Sequence, residues 1–217
     1  MYLIIDIETE NTGTDIMKDN KRILSVQIGD DTKQSLYWAD SDDPQWSLES
    51  AKKQITSLLS RSVVFAGYNI RNFDVPFLKQ FLGVEIPESN ILDLCLCQPE
   101  KLTRLTGRNK PRLEEACGAF GISVTHKQKM SEKAEKYKSI EALRKQALAK
   151  ARELAENKGW GLDFSYDYVL DKLAGGNAIY EAYLEFAKNG GRKDSFFYEY
   201  AIGDVVSEHQ LLMALGY

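Results

Sequence analysis

The opening stretch MYLIIDIETE constrains the fold more than any other part of the chain. Residues 2–7 (YLIIDI) form an apolar run of the length that suits one buried strand. Asp6 interrupts it, and Glu8 and Glu10 follow at alternate positions. Residues i and i+2 of a strand point to the same face, so Asp6 and Glu8 converge at the C-terminal end of the strand. Two carboxylates about 4 Å apart repel by roughly 4 kcal/mol at an effective dielectric near 20. A fold built around this strand must offset that cost, and hard cations such as Mg²⁺ or Mn²⁺ take oxygen ligands of this kind. The same residues also read as a solvated strand end that feeds a loop, and Glu10 is assigned to that loop.

The rest of the chain supplies partners for the strand. RILSVQIG at 22–29 and QSLYWA at 34–39 read as two further strands around the turn Gly29-Asp30-Asp31, which makes an antiparallel meander. Ser47 caps a helix with Leu48, Ala51, Ile55, Leu58 and Leu59 on one face. SVVFAG at 62–67 and NILDL at 90–94 are two more strands. VPFLKQFLG between them is a helix, with Pro76 in its first turn and Gly83 past its end. PRLEEACGAFG at 111–121 is another helix. This alternation predicts an α/β fold with a mixed five-stranded sheet flanked by helices. From about 126 to 190 the pattern changes. THKQKMSEKAEKYK is charged and is expected to be weakly structured. Ile140, Leu143, Ala147, Ala151 and Leu154 then recur at helical spacing up to Gly159, and NAIYEAYLEFAKNGG makes a further helix. The final helix is expected from near Asp194 to about Leu215. Residues 1–217 thus read as one domain, with 126–190 as a helical insertion before the C-terminal helix.

Composition narrows the functional classes. No apolar run approaches the roughly 18 residues of a membrane span. The N-terminus lacks the basic flank of a signal peptide. Cys95, Cys97 and Cys117 give an odd count and no disulfide framework, as expected of a reducing cytoplasm. The net charge of −4 argues against a passive nucleic-acid binder but suits a protein that binds divalent cations. His126 and His209 are too few and too scattered for a histidine-based zinc site.

Two more acidic stretches stand out. GYNIRNFDVPFL at 67–78 places Asp74 where a loop enters a helix. A helix cap there is worth about 1 kcal/mol, but it does not account for the surround of Gly67, Asn69, Phe73 and Pro76. In YEYAIGDVVSEHQLL at 198–212, Tyr200 and Asp204 lie one turn apart on one helix face. Gly203 costs the helix up to about 1 kcal/mol relative to Ala, and it lets another backbone or a ligand come close. An ordinary amphipathic helix accounts for this last stretch equally well.

Jointly these motifs resemble one family, the DEDD superfamily of DnaQ-like 3′–5′ exonucleases, which has a ribonuclease H-like fold. Asp6 and Glu8 match its D-x-E motif. Asn69, Phe73 and Asp74 match N-x(2–3)-[FY]-D. Tyr200 and Asp204 match the Y-x(3)-D of the tyrosine branch, and no histidine stands at the histidine-branch position. GYNIRNFDVPFL is most similar to the exonuclease domains of family B DNA polymerases. The resemblance covers about 1–125 and 195–217. It implies a metal-dependent 3′–5′ exonuclease that releases nucleoside 5′-monophosphates from single-stranded DNA or RNA. It implies two Mg²⁺ or Mn²⁺ ions that stabilise the attacking and leaving oxygens. Asp6 would bridge both ions, Glu8 and Asp204 would complete the inner site, and Asp74 would support the outer ion through water. Tyr200 would position the attacking water, since a phenol with a pKa of about 10 is a poor base at neutral pH.

On the substrate side, Thr9, Asn69, Phe73, Arg108 and Lys110 are the candidate contacts. Phe73 and Tyr68 are placed as pocket walls, although core packing is the stronger reading of Phe73. KLTRLTGRNKPR at 101–112 reads as a phosphate-tracking loop or as a solvated charged face. Trp160, Tyr166 and Tyr168 are expected to pack inside the insertion. The expected partner is a single-stranded 3′ end, DNA ahead of RNA, with a polymerase or repair complex as a candidate assembly and no membrane. With no polymerase domain present, a stand-alone enzyme is expected. A catalytically weak strand-end adaptor and a structure-specific endonuclease on the same fold are the competing readings.

Overall fold

The computed structural model describes residues 1–11, 13 and 20–217. Side-chain alternation along β1 (Tyr2–Asn11) organises the whole molecule. Ile5 and Ile7 pack on one side of the sheet with Val26, Ile28, Phe65 and Phe77. Ile4 packs on the other side with Ala66, Leu102, Leu113, Val205 and Leu211. Asp6 and Glu8 share the parity of Ile4, so they point to that second side.

Among the described residues, five strands form one mixed sheet in the order β3-β2-β1-β4-β5. β2 (Asn20–Gly29) pairs antiparallel with β1 and with β3 (Gln34–Trp38), which is the expected meander. β4 (Val64–Gly67) runs parallel to β1, and β5 (Ile91–Asp93) runs parallel to β4. α1 (Leu48–Leu59) begins where Ser47 accepts the Ser50 N–H. α2 (Asp74–Leu82) ends at Gly83, whose φ of 63° is the left-handed conformation that closes a helix. α4 (Leu113–Ala119) covers the second face together with α8 (Phe196–Ala214).

Several expectations are corrected. β1 does not end near residue 7 but runs to Asn11, with register shifts around Thr9. Glu10 is therefore a buried strand residue rather than a solvated loop residue, and it accepts from Arg22 Nε at 3.2 Å. Residues 101–106, read as part of a loop, lie in α3 (Pro99–Thr106). The charged stretch expected to be weakly structured is α5 (Thr125–Lys138), which buries His126, Met130 and Ala134 at four-residue spacing. α6 (Glu141–Lys158) follows as expected. α7 (Leu162–Lys188) runs straight through Gly175 and Gly176 rather than starting after them. The last helix agrees with its expected bounds: α8 starts at Phe196 with Ser195 as its cap.

Of the two glycines inside α7, Gly176 has a packing reason, while a Cβ on Gly175 would meet nothing within 4 Å. A Cβ on Gly176 would lie 1.8 Å from the Asn11 carbonyl oxygen, so α7 crosses the end of β1 at backbone contact. Gly176→Ala is accordingly expected to cost roughly 1–3 kcal/mol. A urea midpoint equal to the parent's would show that this crossing is looser than described.

Candidate metal centre

β1 and α8 build the site from opposite sides. β1 presents Asp6 and Glu8 from the sheet, and α8 lies across that face and presents Asp204. One carboxylate oxygen from each of Asp6, Glu8 and Asp204 lies within 4.8 Å of the others. Asp74, the first residue of α2, is buried beside them, and its Oδ1 accepts the Ile7 N–H at 3.1 Å. This bond ties the second motif to the first. The loop before α2 is shaped by buried Asp93, which accepts the N–H groups of Asn69 and Arg71 at 3.1 and 3.2 Å. Asn69 itself sits at φ 63°, a left-handed conformation that asparagine tolerates.

The cluster is electrostatically over-filled with acid. Burial, then Asp204, Glu8 and Asp74, push the Asp6 carboxyl well above its usual range. Burial and Asp204 raise Glu8 to about 8, and burial raises Asp74 to about 7. Glu208, one turn beyond Asp204, is 3% exposed, and burial, Asp204 and Asp74 push it well up. Among the described side chains, Asp6 Oδ2, Glu208 Oε2 and Gln27 Oε1 are buried with no hydrogen-bond partner. Gln27 and Ser25 stand directly opposite Asp6 and Glu8 on β2, so a polar layer continues across the sheet. An all-oxygen donor set, excess negative charge and an orphaned Asp6 oxygen together fit a hard divalent cation.

Asp204 is shifted the other way from Asp6, Glu8, Asp74 and Glu208, toward its ionised form. Burial pushes it up, but Lys127 and His126 more than offset this and lower its pKa. Lys127 Nζ donates to Asp204 Oδ2 at 2.5 Å and to the Tyr200 hydroxyl at 3.1 Å. His126 Nε2 lies 3.0 Å from Asp204 Oδ1. An ionised carboxylate only accepts, so that ring nitrogen carries the proton. Sequence reasoning missed both residues because they sit on α5, in the stretch read as weakly structured. Gly203 was the available signal. A Cβ there would lie 2.5 Å from His126 Cγ, so the approaching group is the imidazole ring. Gly203→Ala should therefore displace His126 from Asp204 and cost roughly 1–3 kcal/mol. An unchanged His126 proton resonance in that variant would contradict the packing.

A groove of about 490 Å³ reaches the cluster at Glu8. Glu8, Thr9, Phe73 and Tyr200 line it, together with Arg112 and with Tyr168 and Lys172 of α7. Phe73 also packs against Phe77 with tilted rings 4.7 Å apart, so it serves core and groove at once. The other substrate candidates lie apart from the groove lining. Asn69 accepts from Asn72 on the surface, and Tyr68 donates to the Pro111 carbonyl. Arg108 is paired with Glu115 at 3.1 Å, and Lys110 is exposed. From the basic stretch it is Arg112 that reaches the groove.

Residues 3–134 match the family model of the RNase H superfamily. The match includes Asp6, Glu8, Asp74, His126 and Lys127, and it ends before Tyr200 and Asp204. No curated protein matches the chain.

Proposed function

Because the chain belongs to the RNase H superfamily, we propose that it is a metal-dependent 3′–5′ exonuclease of the tyrosine-branch DEDD type. Its substrate is a single-stranded 3′ end, DNA ahead of RNA, and its products are nucleoside 5′-monophosphates. The observation that carries this reading is the convergence of Asp6, Glu8 and Asp204 oxygens within 4.8 Å of one another. Tyr200 supports it, standing one turn before Asp204 and lining the same groove. The free cysteines Cys95, Cys97 and Cys117 suit a reducing cytoplasm. A polymerase or repair complex is the proposed setting.

Asp6, Glu8 and Asp204 would hold divalent ions, and Asp74 would support them from the α2 side. Two such ions, when bound, stabilise the attacking and leaving oxygens of an in-line displacement. The chain's own groups do the positioning. Burial keeps Tyr200 well above the usual phenol range, so it is a hydroxyl and not a base at neutral pH. Lys127 occupies an acceptor position on that oxygen and leaves the Tyr200 proton free to donate. Tyr200 can then orient the attacking water or a phosphate oxygen at the groove floor. Thr9 and Phe73 flank the terminal nucleotide.

The test is a 5′-labelled linear strand beside a circle of the same sequence, each with Mn²⁺. The proposal expects a ladder that shortens from the 3′ end while the circle stays intact. Nicking of the circle would replace it with an endonuclease.

A further inference from the structure

The helical hairpin of α6 and α7 carries an aromatic surface that the proposed reaction leaves unused. Phe164 is 61% exposed, and Trp160 and Tyr168 are half-buried beside it. Trp160 meets Phe164 at 5.6 Å and Tyr168 at 5.7 Å, edge to face in both cases, while Phe164 and Tyr168 lie nearly parallel at 6.4 Å. The expectation that Trp160 and Tyr168 pack inside the insertion is thus only partly met. Tyr168 touches the edge of the cluster formed by Ala147, Val169, Leu170 and Leu173, with Tyr166 beside it. Trp160 and Phe164 are outside that cluster.

Two lysines crown the rings. Lys158 Nζ sits 5.2 Å from the Trp160 centroid, and Lys172 Nζ sits 5.5 Å from that of Tyr168. Two acids of this stretch have other partners or surroundings. Asp171 is paired with Lys138 at 2.8 Å, and Asp163 lines a separate hollow with Arg144 and Lys145. The surface is continuous with the catalytic groove, because Tyr168, Lys172, Gly175 and Gly176 of α7 form one of its walls.

We propose that Trp160, Phe164 and Tyr168, with Lys158 and Lys172, form a stacking platform for the single-stranded nucleic acid upstream of the scissile 3′ end. The proposal rests on the exonuclease reading and adds the path of the strand. Exposed aromatic faces bind successive bases without regard to sequence, and interleaved cations hold the phosphates. The geometry sets a length. From Gly176 to Phe164 the helix rises about 18 Å, which matches about five nucleotides at about 3.4 Å per stacked nucleotide. Substrates shorter than this end in the groove beside Tyr168 and Lys172 and do not reach Trp160 and Phe164.

The experiment measures binding of labelled dT20 and rU20 in EDTA by anisotropy, and cleavage of dT20 and dT3 with Mn²⁺. It compares the parent with Phe164→Ala, with Lys172→Ala and with Met213→Ala, an exposed apolar site elsewhere on the surface. Loss of one stacked base should weaken dT20 binding about tenfold in Phe164→Ala. Lys172→Ala should flatten the salt dependence of dT20 binding, while Met213→Ala binds dT20 and Phe164→Ala cleaves dT3 at parent values. Absence of any cleavage, with the binding loss intact, would end the exonuclease reading and leave the platform standing. Parent-like dT20 binding in Phe164→Ala would overturn the platform. So would an equal loss on a blunt duplex, or a change in self-association in place of a change in strand binding.

Discussion

Asp6→Asn should abolish strand cleavage and, at the same time, stabilise the metal-free protein. Asp6 contributes to the cluster and carries the orphaned buried oxygen Oδ2. If Asp6 holds the proposed ions, its loss would remove several kcal/mol of transition-state stabilisation, a fall in rate of about a thousandfold or more. The stability effect has the opposite sign. Burial and four neighbouring carboxylates already oppose ionisation of Asp6, so a neutral side chain of the same shape removes repulsion from the empty cluster. Initial rates with Mn²⁺ and thermal midpoints in EDTA read the two effects separately. A variant that is both inactive and less stable in EDTA would mean that Asp6 holds the fold together rather than a cation.

The second large effect is on pH dependence. Glu8 is raised from 4.5 to about 8, and Asp74 is raised from 3.8 to about 7. A carboxyl with a raised folded pKa contributes stability that is fully present below its unfolded pKa and is lost as pH rises through the folded value. The metal-free protein should therefore lose stability between about pH 4 and pH 8, by several kcal/mol. At about 2–4 °C per kcal/mol for a chain of this size, the midpoint falls by roughly 10 °C. The lowered pKa of Asp204 works in a separate window, since its contribution is lost only as pH falls below the ordinary carboxylate range. Saturating Mn²⁺ should flatten the profile, because bound cations favour the ionised carboxylates, and at 100 times Kd it adds about 2.7 kcal/mol. A midpoint that is flat with pH in EDTA, or indifferent to Mn²⁺ at pH 8, would contradict this.

The sheet was legible because its strands are short apolar runs separated by turn residues, as at Gly29-Asp30-Asp31. Asp6 and Glu8 stood out for a related reason, since a buried strand has little local use for them, whereas Asp74 and Asp204 stood out only through the residues around them. The reach of β1 to Asn11 was hidden because the partner of Glu10 is Arg22, across the β1–β2 pair. α5 was hidden because its buried face is thin. His126, Met130 and Ala134 recur every four residues, but lysines and glutamates fill the turns between them. Its helicity comes largely from packing on α7 and α8, where Met130 and Ala134 meet Ala174, Ala178 and Tyr200. The same long-range packing brings His126 and Lys127 to Asp204, and no local pattern records a contact of that kind. Gly203 showed that something comes close without showing what.

The most direct test counts Mn²⁺ ions at pH 8 by electron paramagnetic resonance, in the presence of a nucleoside 5′-monophosphate. Parent protein and Asp204→Asn are titrated side by side. The account predicts two coupled ions per parent chain, about 3.5–4 Å apart, and loss of the coupled signal in the variant. Weak, uncoupled binding that is the same in both proteins would show that Asp6, Glu8 and Asp204 do not form a metal centre.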